Sequence, residues 1–209
     1  MKKFKTAQED LWLSKFGDNY IPRNKSKKLL ASNINLFSEI ISKTSKVQSI
    51  LELGANIGMN IVVLNKLLPN TKTSAVEINP KAFKELEKVC TNKAYLQSIL
   101  DMDITEHSKY DFVFTKGVLI HINPGKLNNV YDAMHKLSKR YICIAEYYNP
   151  SPMSIEYRGE KDKLFKRDFA GEMLDKFKDL SLVDYGFKYR RDNNFTQDDI
   201  TWFLLKKNK

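Results

Sequence analysis

One stretch constrains this chain more than any other: Leu51-Glu52-Leu53-Gly54-Ala55-Asn56-Ile57-Gly58. The run Ser49 to Leu53 is short and mostly apolar, which predicts a buried strand. From Gly58 to Leu68 the pattern is helical, and Pro69-Asn70 ends it. Small or turn-tolerant residues between strand and helix let the backbone turn tightly and approach a ligand. Ser74-Ala75-Val76-Glu77 reads as the next strand. Its last residue, Glu77, lies 19 positions after Gly58. A carboxylate at that spacing can accept hydrogen bonds from both hydroxyls of a ribose.

The same alternation continues along the chain. Pro80 opens a helix to about Cys90, Tyr95 to Ile99 is a third strand, and Tyr110 to Thr115 is a fourth. Pro124 starts a helix ending near Ser138, and Tyr141 to Ala145 is a fifth strand. A helix near 169–178 and strands near 181–188 and 199–206 complete the pattern. Strands alternating with helices predict a doubly wound α/β sheet with helices on both faces. Before this core, Thr6-Ala7-Gln8-Glu9 is a capping box for a helix bearing Leu11, Trp12 and Phe16, with Gly17-Asp18-Asn19 as its stop. A helix from about Asn24 to Ser42 follows, with Leu30, Ile34, Phe37 and Ile41 on one face. Residues 147–168 show no period and read as a long loop. No linker divides the chain, so we expect one domain over 1–209: an N-terminal helical lid over 1–45 and a core over 46–209.

The net charge of +10 admits nucleic acid, a membrane surface, an anionic small molecule or plain solubility. The lysines are scattered rather than grouped. No apolar run approaches a membrane span, and no apolar region follows the basic start MKKFKTAQED, so a cytoplasmic protein is expected. Cys90 and Cys143, the two cysteines, give neither a disulfide framework nor a zinc spacing, and we expect both as reduced core residues. No metal site is expected. His107 and His135 read as ordinary surface residues.

A dinucleotide fingerprint would need glycine at 54, 56 and 59, where the chain has Gly54, Asn56 and Met59. An acid followed by alternate glycines would need positions 52, 54, 56 and 58. The chain has Glu52, Gly54, Asn56 and Gly58, and Asn tolerates positive φ better than most residues. On this pattern, with Glu77 and the α/β alternation, the region 48–206 resembles the class I S-adenosylmethionine-dependent methyltransferases. A narrower resemblance covers nearly the whole chain. Phe16 to Tyr20, Thr115 to Ile122, Glu146 to Pro150, Tyr157-Arg158-Gly159 and Asp162 to Phe169 are similar to the pseudaminic acid biosynthesis-associated methylases.

The resemblance implies a Rossmann-like class I methyltransferase fold: a seven-stranded, mostly parallel sheet with the last strand antiparallel. It implies S-adenosyl-L-methionine as cofactor and S-adenosyl-L-homocysteine as product. Gly54, Asn56 and Gly58 would line the methionine half, with Glu52 beneath the same loop. Glu77 would hold the ribose, Ile78 would lie against the adenine, and Ser98 and Ile99 would meet its edge. Many relatives carry an acid at the Ser98 position, and Asp101 is an alternative. Lys116 and Gly117 would flank the methionine moiety.

Several residues carry two readings. Trp12, Phe16 and Tyr20 are either an apolar helix face and a turn or a lid over the cofactor, with Arg23 reaching a carboxylate or phosphate. His121 is either a general base or a locally packed side chain; Tyr147 and Glu146 are the other candidate bases. Arg158, Lys161, Lys163, Lys166 and Arg167 are either a solvated run or an anion clamp, with Tyr148 and Tyr157 stacking nearby. The leading expectation is an O- or N-methyltransferase acting on a small anionic acceptor, a sugar or nucleotide sugar. The alternatives are a nucleic-acid or protein methyltransferase and a silent cofactor-binding subunit. Thr115-Lys116-Gly117-Val118 differs from the N-P-P-Y type loop of exocyclic-amine nucleic-acid methylases, which argues against nucleic acid.

Overall fold

A computed structural model of the chain describes residues 6–102 and 109–208. Seven strands form the main sheet: β1 (Ser49–Leu53), β2 (Lys72–Glu77), β3 (Lys93–Leu96), β4 (Tyr110–Lys116), β5 (Ser138–Glu146), β8 (Leu180–Lys188) and β9 (Ile200–Lys207). Their order is β3-β2-β1-β4-β5-β9-β8. All neighbours pair in parallel except β9, which runs antiparallel to β5 and β8. The remaining two strands, β6 (Met153–Tyr157) and β7 (Glu160–Lys166), form a separate hairpin.

Side chains alternate across the sheet because the strand period is two. Ile50, Phe112, Phe114 and Cys143 face one side, where they meet helices α3 (Lys27–Ser42) and α4 (Met59–Leu67). Phe37 of α3 sets its ring 5.2 Å from that of Phe114 in an edge-on contact. Leu51, Leu53, Val113 and Ile142 face the other side, under α6 (Leu127–Leu137) and α7 (Phe169–Lys176). Leu36, Phe37, Ile50 and Phe112 are fully buried. Burial of each such side chain contributes about 1.5–3 kcal/mol, an upper range for a chain whose unfolded state is partly compact. The remaining core helix, α5 (Pro80–Leu86), closes the β2–β3 crossover.

This connectivity positions the site. The chain runs outward from β1 to β2 and β3, then returns to the other side of β1 as β4. The crevice at such a reversal, beyond the carboxyl ends of the strands, is where open α/β sheets bind ligands. Val76 O accepts from the N–H of both Gly54 (2.9 Å) and Ala55 (3.0 Å), so the loop after β1 turns sharply off the sheet at this edge.

Some sequence expectations need correction. Gly17-Asp18-Asn19 does not stop a helix. Helix α1 (Ala7–Leu13) ends at Ser14, whose hydroxyl accepts from Phe16 N–H and starts α2 (Lys15–Tyr20), which runs through those residues. The glycine serves close packing instead: a Cβ on Gly17 would collide with the Trp12 carbonyl. The long loop at 147–168 is largely the β6–β7 hairpin. Arg158 (φ 57°) and Gly159 (φ 83°) form its two-residue turn, the pair of positive φ values that suits the twist of a hairpin. Cys143 is buried as expected, whereas Cys90 lies beyond the end of α5 and is partly exposed. His135 is not a plain surface residue: it stacks on Phe177 at 4.1 Å and bonds Asp179. His107 lies outside the described residues.

Candidate active site

A cavity of about 450 Å³ opens over the carboxyl ends of β1, β2, β3 and β4. Its floor is the loop after β1. Gly54 (φ 78°), Asn56 (φ 49°) and Gly58 (φ 79°) all adopt the left-handed conformation. Asn56 is the one residue of the three with a side chain, and local bonds stabilise it there. Its Oδ1 accepts from Ile57 N–H at 2.9 Å and from Asn24 Nδ2 at 3.1 Å. A Cβ on Gly54 would lie 2.7 Å from Val118 Cγ2, so the loop passes directly beneath the loop after β4.

Glu77 ends β2 and is almost wholly buried. Its Oε2 accepts from Asn56 N–H and its Oε1 from Asn79 N–H, both at 2.7 Å. Burial pushes this carboxyl above its ordinary range, while N–H groups of Asn79, Asn56 and Ile78 pull it back. A carboxylate offers about four lone-pair sites, so acceptor capacity remains on Glu77 for a ligand hydroxyl. Ile78, Ser98 and Ile99 line the cavity on the β3 side of Glu77, and Lys116 and Gly117 line it on the β4 side.

Glu52 lies behind the loop and does not reach the cavity wall. Asn60, which does line the cavity, donates to Glu52 Oε1 at 2.6 Å. Glu52 Oε2 is buried without a partner, and burial pushes the carboxyl up to about 8. Lys116 lines the cavity and has no ion-pair contact among the described residues, and burial lowers its pKa against the raising influence of Asp198, Glu52 and Glu146. Among the described residues, no cluster of three or more His, Cys, Asp or Glu side chains is placed to hold a metal.

Trp12, Tyr20 and Arg23 all line the cavity, from above. The Trp12 ring packs edge-on against Tyr20 (5.2 Å) and His121 (5.0 Å), and the Arg23 guanidinium lies 5.5 Å from the Tyr20 ring. Asn79 ties the Trp12–Asp18 segment to α5. Its Nδ2 donates to Trp12 O and to Asp18 Oδ1, while its Oδ1 caps α5.

The three candidate bases differ sharply. His121 lines the cavity beside Tyr157, at 4.9 Å between rings. Its Nδ1 is 2.7 Å from Lys163 O, and a carbonyl only accepts, so Nδ1 carries the proton and Nε2 is a bare acceptor. Burial pushes the imidazole down to about 4. Tyr147 also lines the cavity; burial raises its hydroxyl above the ordinary value. Glu146 is a correction. Its oxygens accept from the N–H groups of Val118, Leu119 and Ile120 at 3.0 to 3.4 Å, outside the cavity. It holds the loop after β4 and is not aimed at a ligand.

The basic cluster is also only partly assembled. Arg158 lines the cavity, its guanidinium 5.3 Å from the Tyr157 ring. Lys166 and Arg167 do not line it. Lys166 Nζ sits 5.4 Å from the Tyr147 ring, and Arg167 pairs with Glu172 at 2.7 Å. Tyr148 packs on Phe203, also away from the cavity. Neighbouring residues of an extended segment point to opposite sides, so a basic run in sequence does not become one patch in space.

No protein family model matches this sequence, and no curated protein matches it. Solved structures do match. The 1,6-didemethyltoxoflavin-N1-methyltransferase of Burkholderia thailandensis, with 1,6-didemethyltoxoflavin and S-adenosylhomocysteine bound, gives a TM-score of 0.70 at 12% identity, over 100% of this chain and 94% of that one. Magnesium protoporphyrin IX methyltransferase of Synechocystis PCC 6803, with S-adenosylhomocysteine bound, gives 0.68 at 12% identity, over 98% and 100%. The N-terminal domain of EvdMO1, crystallised in the presence of S-adenosylhomocysteine and D-fucose, gives 0.60 at 14%, over 85% and 82%. The fold is that of the class I methyltransferases. At these identities the likeness is one of fold.

Within this methyltransferase fold, sequence reasoning missed several cavity residues. Glu9 was absorbed into its capping box, yet it also meets Ser98. Asn79 looked like part of a turn. Gln197 and Asp198 stand in the β8–β9 connection, which has no periodic signal, and both line the cavity. The polar residue Asn33 lay hidden within an apolar helix pattern.

Proposed function

We propose that this chain is an S-adenosylmethionine-dependent O- or N-methyltransferase acting on a small anionic acceptor, a sugar or nucleotide sugar. The observation that carries the reading is Glu77: a buried carboxylate at the cavity wall, fixed by two backbone N–H groups, beside a loop with three left-handed residues. That cradle fits an adenosyl ligand, because Gly54 and Gly58 let the loop turn without a side chain at the cavity floor and the carboxylate keeps acceptor capacity for a ribose hydroxyl. The fold neighbours support the cofactor, since their structures hold S-adenosylhomocysteine, and EvdMO1 was crystallised with a sugar present.

When bound, the cofactor supplies a methyl group on a positively charged sulfur, and a neutral thioether leaves as the acceptor's lone pair takes the methyl. The protein's work is therefore alignment and exclusion of water. Glu77 and the loop after β1 would hold the adenosine and methionine halves. Trp12, Tyr20 and Tyr157 cover the cavity with aromatic surface. Arg158, in the turn between β6 and β7, and Arg23 offer guanidinium groups to an anionic acceptor. His121 Nε2 is our candidate to take the acceptor's proton; the Tyr147 hydroxyl, which burial keeps protonated, serves as a hydrogen-bond donor, and the Glu146 carboxylate is occupied.

The test is methyl transfer to a panel of nucleotide sugars and free acidic sugars, run beside a salt titration of RNA and DNA binding. Arg158→Ala should raise the acceptor KM and leave S-adenosylhomocysteine affinity nearly unchanged. Tight, steeply salt-dependent RNA binding without transfer to any sugar would replace this reading with a nucleic-acid methyltransferase.

A further inference from the structure

β8 is the last strand of the main sheet and pairs with β9 alone, so its outer edge carries backbone N–H and C=O groups outside the described ladder. Such edges are ordinarily blunted by charge, proline, a bulge or a covering segment, because they template pairing with another chain. A bulge between Leu182 and Asp184 interrupts the first part of β8 only. Beyond it the exposed positions are aromatic: Tyr185 is 63% and Phe187 56% accessible. Tyr185 stacks on Phe203 at 6.1 Å, and Phe203 meets Tyr148 at 5.7 Å, so an aromatic row crosses the sheet and ends at this edge. On the opposite face Asp184 pairs with Lys43 of α3 at 3.0 Å, and Lys188 pairs with Glu39 of α3 at 2.5 Å. Tyr185 N–H donates to the neighbouring Asp184 Oδ1 at 2.9 Å. That N–H therefore faces the outer edge, and the two-residue period turns the N–H and C=O of Phe187 the same way.

We propose that this edge is the interface between two copies of the chain, which pair β8 with β8 antiparallel about a twofold axis at Gly186. An interface of this symmetry must be complementary to itself. The half-turn about Gly186 meets that demand on both faces of the sheet. On the aromatic face it sets Tyr185 opposite the partner's Phe187, and their outward backbone groups exchange N–H and C=O bonds. On the α3 face it sets Asp184 opposite the partner's Lys188. Each of these pairs occurs twice, once on either side of the axis. Aromatic pairs and opposite charges are the cross-strand pairs that stabilise a sheet, and like charges directly opposite destabilise it. A slip of one residue either way parts Asp184 from the partner's Lys188, so the charges select this register. The net charge of +10 repels two copies overall, but Glu39, Lys43, Asp184 and Lys188 balance locally and oppose no approach along this edge. The product is one continuous sheet across both copies, in which the aromatic row runs on from one to the other.

The test is sedimentation of the full chain across the micromolar range, with circular dichroism to establish that each variant is folded. Wild type should sediment as a dimer. Asp184→Lys and Lys188→Asp each set like charges against one another twice across the axis, and each should weaken self-association about tenfold or more. An equimolar mixture of those two variants restores opposite charges at both places and should recover a heterodimer of near wild-type affinity. Phe187→Lys puts a charge on the aromatic edge and should leave a monomer. A monomeric wild type would overturn the inference. So would a dimer that none of the three variants weakens, or a mixture that associates no more tightly than either charge variant alone.

Discussion

Gly54→Ala tests whether the cavity floor is as tightly built as the geometry states. The backbone there has φ 78°, and a Cβ would lie 2.7 Å from Val118 Cγ2 and 2.8 Å from Val118 Cγ1. Two costs follow. Placing an L-residue in the left-handed region costs about 1–2 kcal/mol. Forcing a methyl against a β-branched side chain, which has few rotamers to retreat into, costs about 1–3 kcal/mol more. The sum, about 2–5 kcal/mol, corresponds to a Tm roughly 4–20 °C lower for a chain of this size. Calorimetric unfolding of Gly54→Ala, Val118→Ala and the double variant separates the two costs. Val118→Ala removes both clashing methyls, so the double variant should be more stable than the sum of the single losses. What it still lacks should match the conformational cost alone. Additivity to within about 0.5 kcal/mol would refute the steric argument. Binding of S-adenosylhomocysteine should follow the same order, since the loop that moves is the cavity floor.

Glu77→Ala should weaken S-adenosylhomocysteine binding by roughly 1.5–3 kcal/mol, the scale of hydrogen bonds to a charged group; unchanged calorimetric affinity would remove Glu77 from the site. The Glu52 carboxyl is raised to about 8, from an ordinary 4.5, so the unfolded chain releases that proton first. Stability should therefore be fullest below about pH 4.5 as far as this group is concerned, and fall as pH rises towards about 8. Glu146, raised to about 7, acts in the same direction. Glu52→Gln should flatten part of that decline in urea midpoints measured from pH 5 to 9, and parallel profiles would contradict it. Asn79→Ala removes the cap of α5, at about 1–2 kcal/mol, together with the ties to Trp12 and Asp18. Limited proteolysis should then cut faster within residues 7–20, and an unaltered cleavage rate would show that the cover is held by other contacts.

Much of the sheet was legible because each strand of the parallel core is an apolar run with a turn signal behind it. Leu51 to Gly58 carried the loop, and Asn56 was readable as a glycine substitute because its side chain can bond its own backbone. The β6–β7 hairpin was missed for a physical reason. The end of the hairpin around its turn is exposed, with Lys, Glu and Ser occupying positions where a half-buried strand would alternate, and of its described residues only Leu164 and Phe165 of β7 are buried. Its one local signal was Arg158-Gly159, a two-residue turn. The N-terminal break was misread because Gly17 looks like a stop when its role is contact with the Trp12 backbone, visible only in three dimensions. Glu146 failed as a candidate base for a related reason. A carboxylate at the end of a strand reads the same in sequence whether it faces a ligand or three backbone N–H groups.

The buried polar groups beneath the cavity show how its parts are held together. Gln197 Nε2 donates to Asn33 Oδ1 at 2.8 Å, Asn33 Nδ2 to Asn60 Oδ1 at 2.9 Å, and Asn60 Nδ2 to Glu52 Oε1 at 2.6 Å. Each amide gives its N–H₂ towards the carboxylate and its oxygen away from it. Glu52 Oε1, which accepts at the end of the series, sets the direction of every member, and no one amide could turn over without leaving a donor facing a donor. The chain spans β1, α4, α3 and the connection between β8 and β9. It joins the floor under Gly54 and Asn56 to the segment carrying Asp198 on the opposite wall. Such a network is costly when half satisfied and rigid when complete. Here it is complete except at Glu52 Oε2, the one buried carboxylate oxygen in this network without a partner. That the unpaired atom lies at the end of the chain, against the loop after β1, places the least satisfied point of the core beside the ligand cradle. Polar and strained groups there fix the geometry of the cavity floor before a ligand arrives.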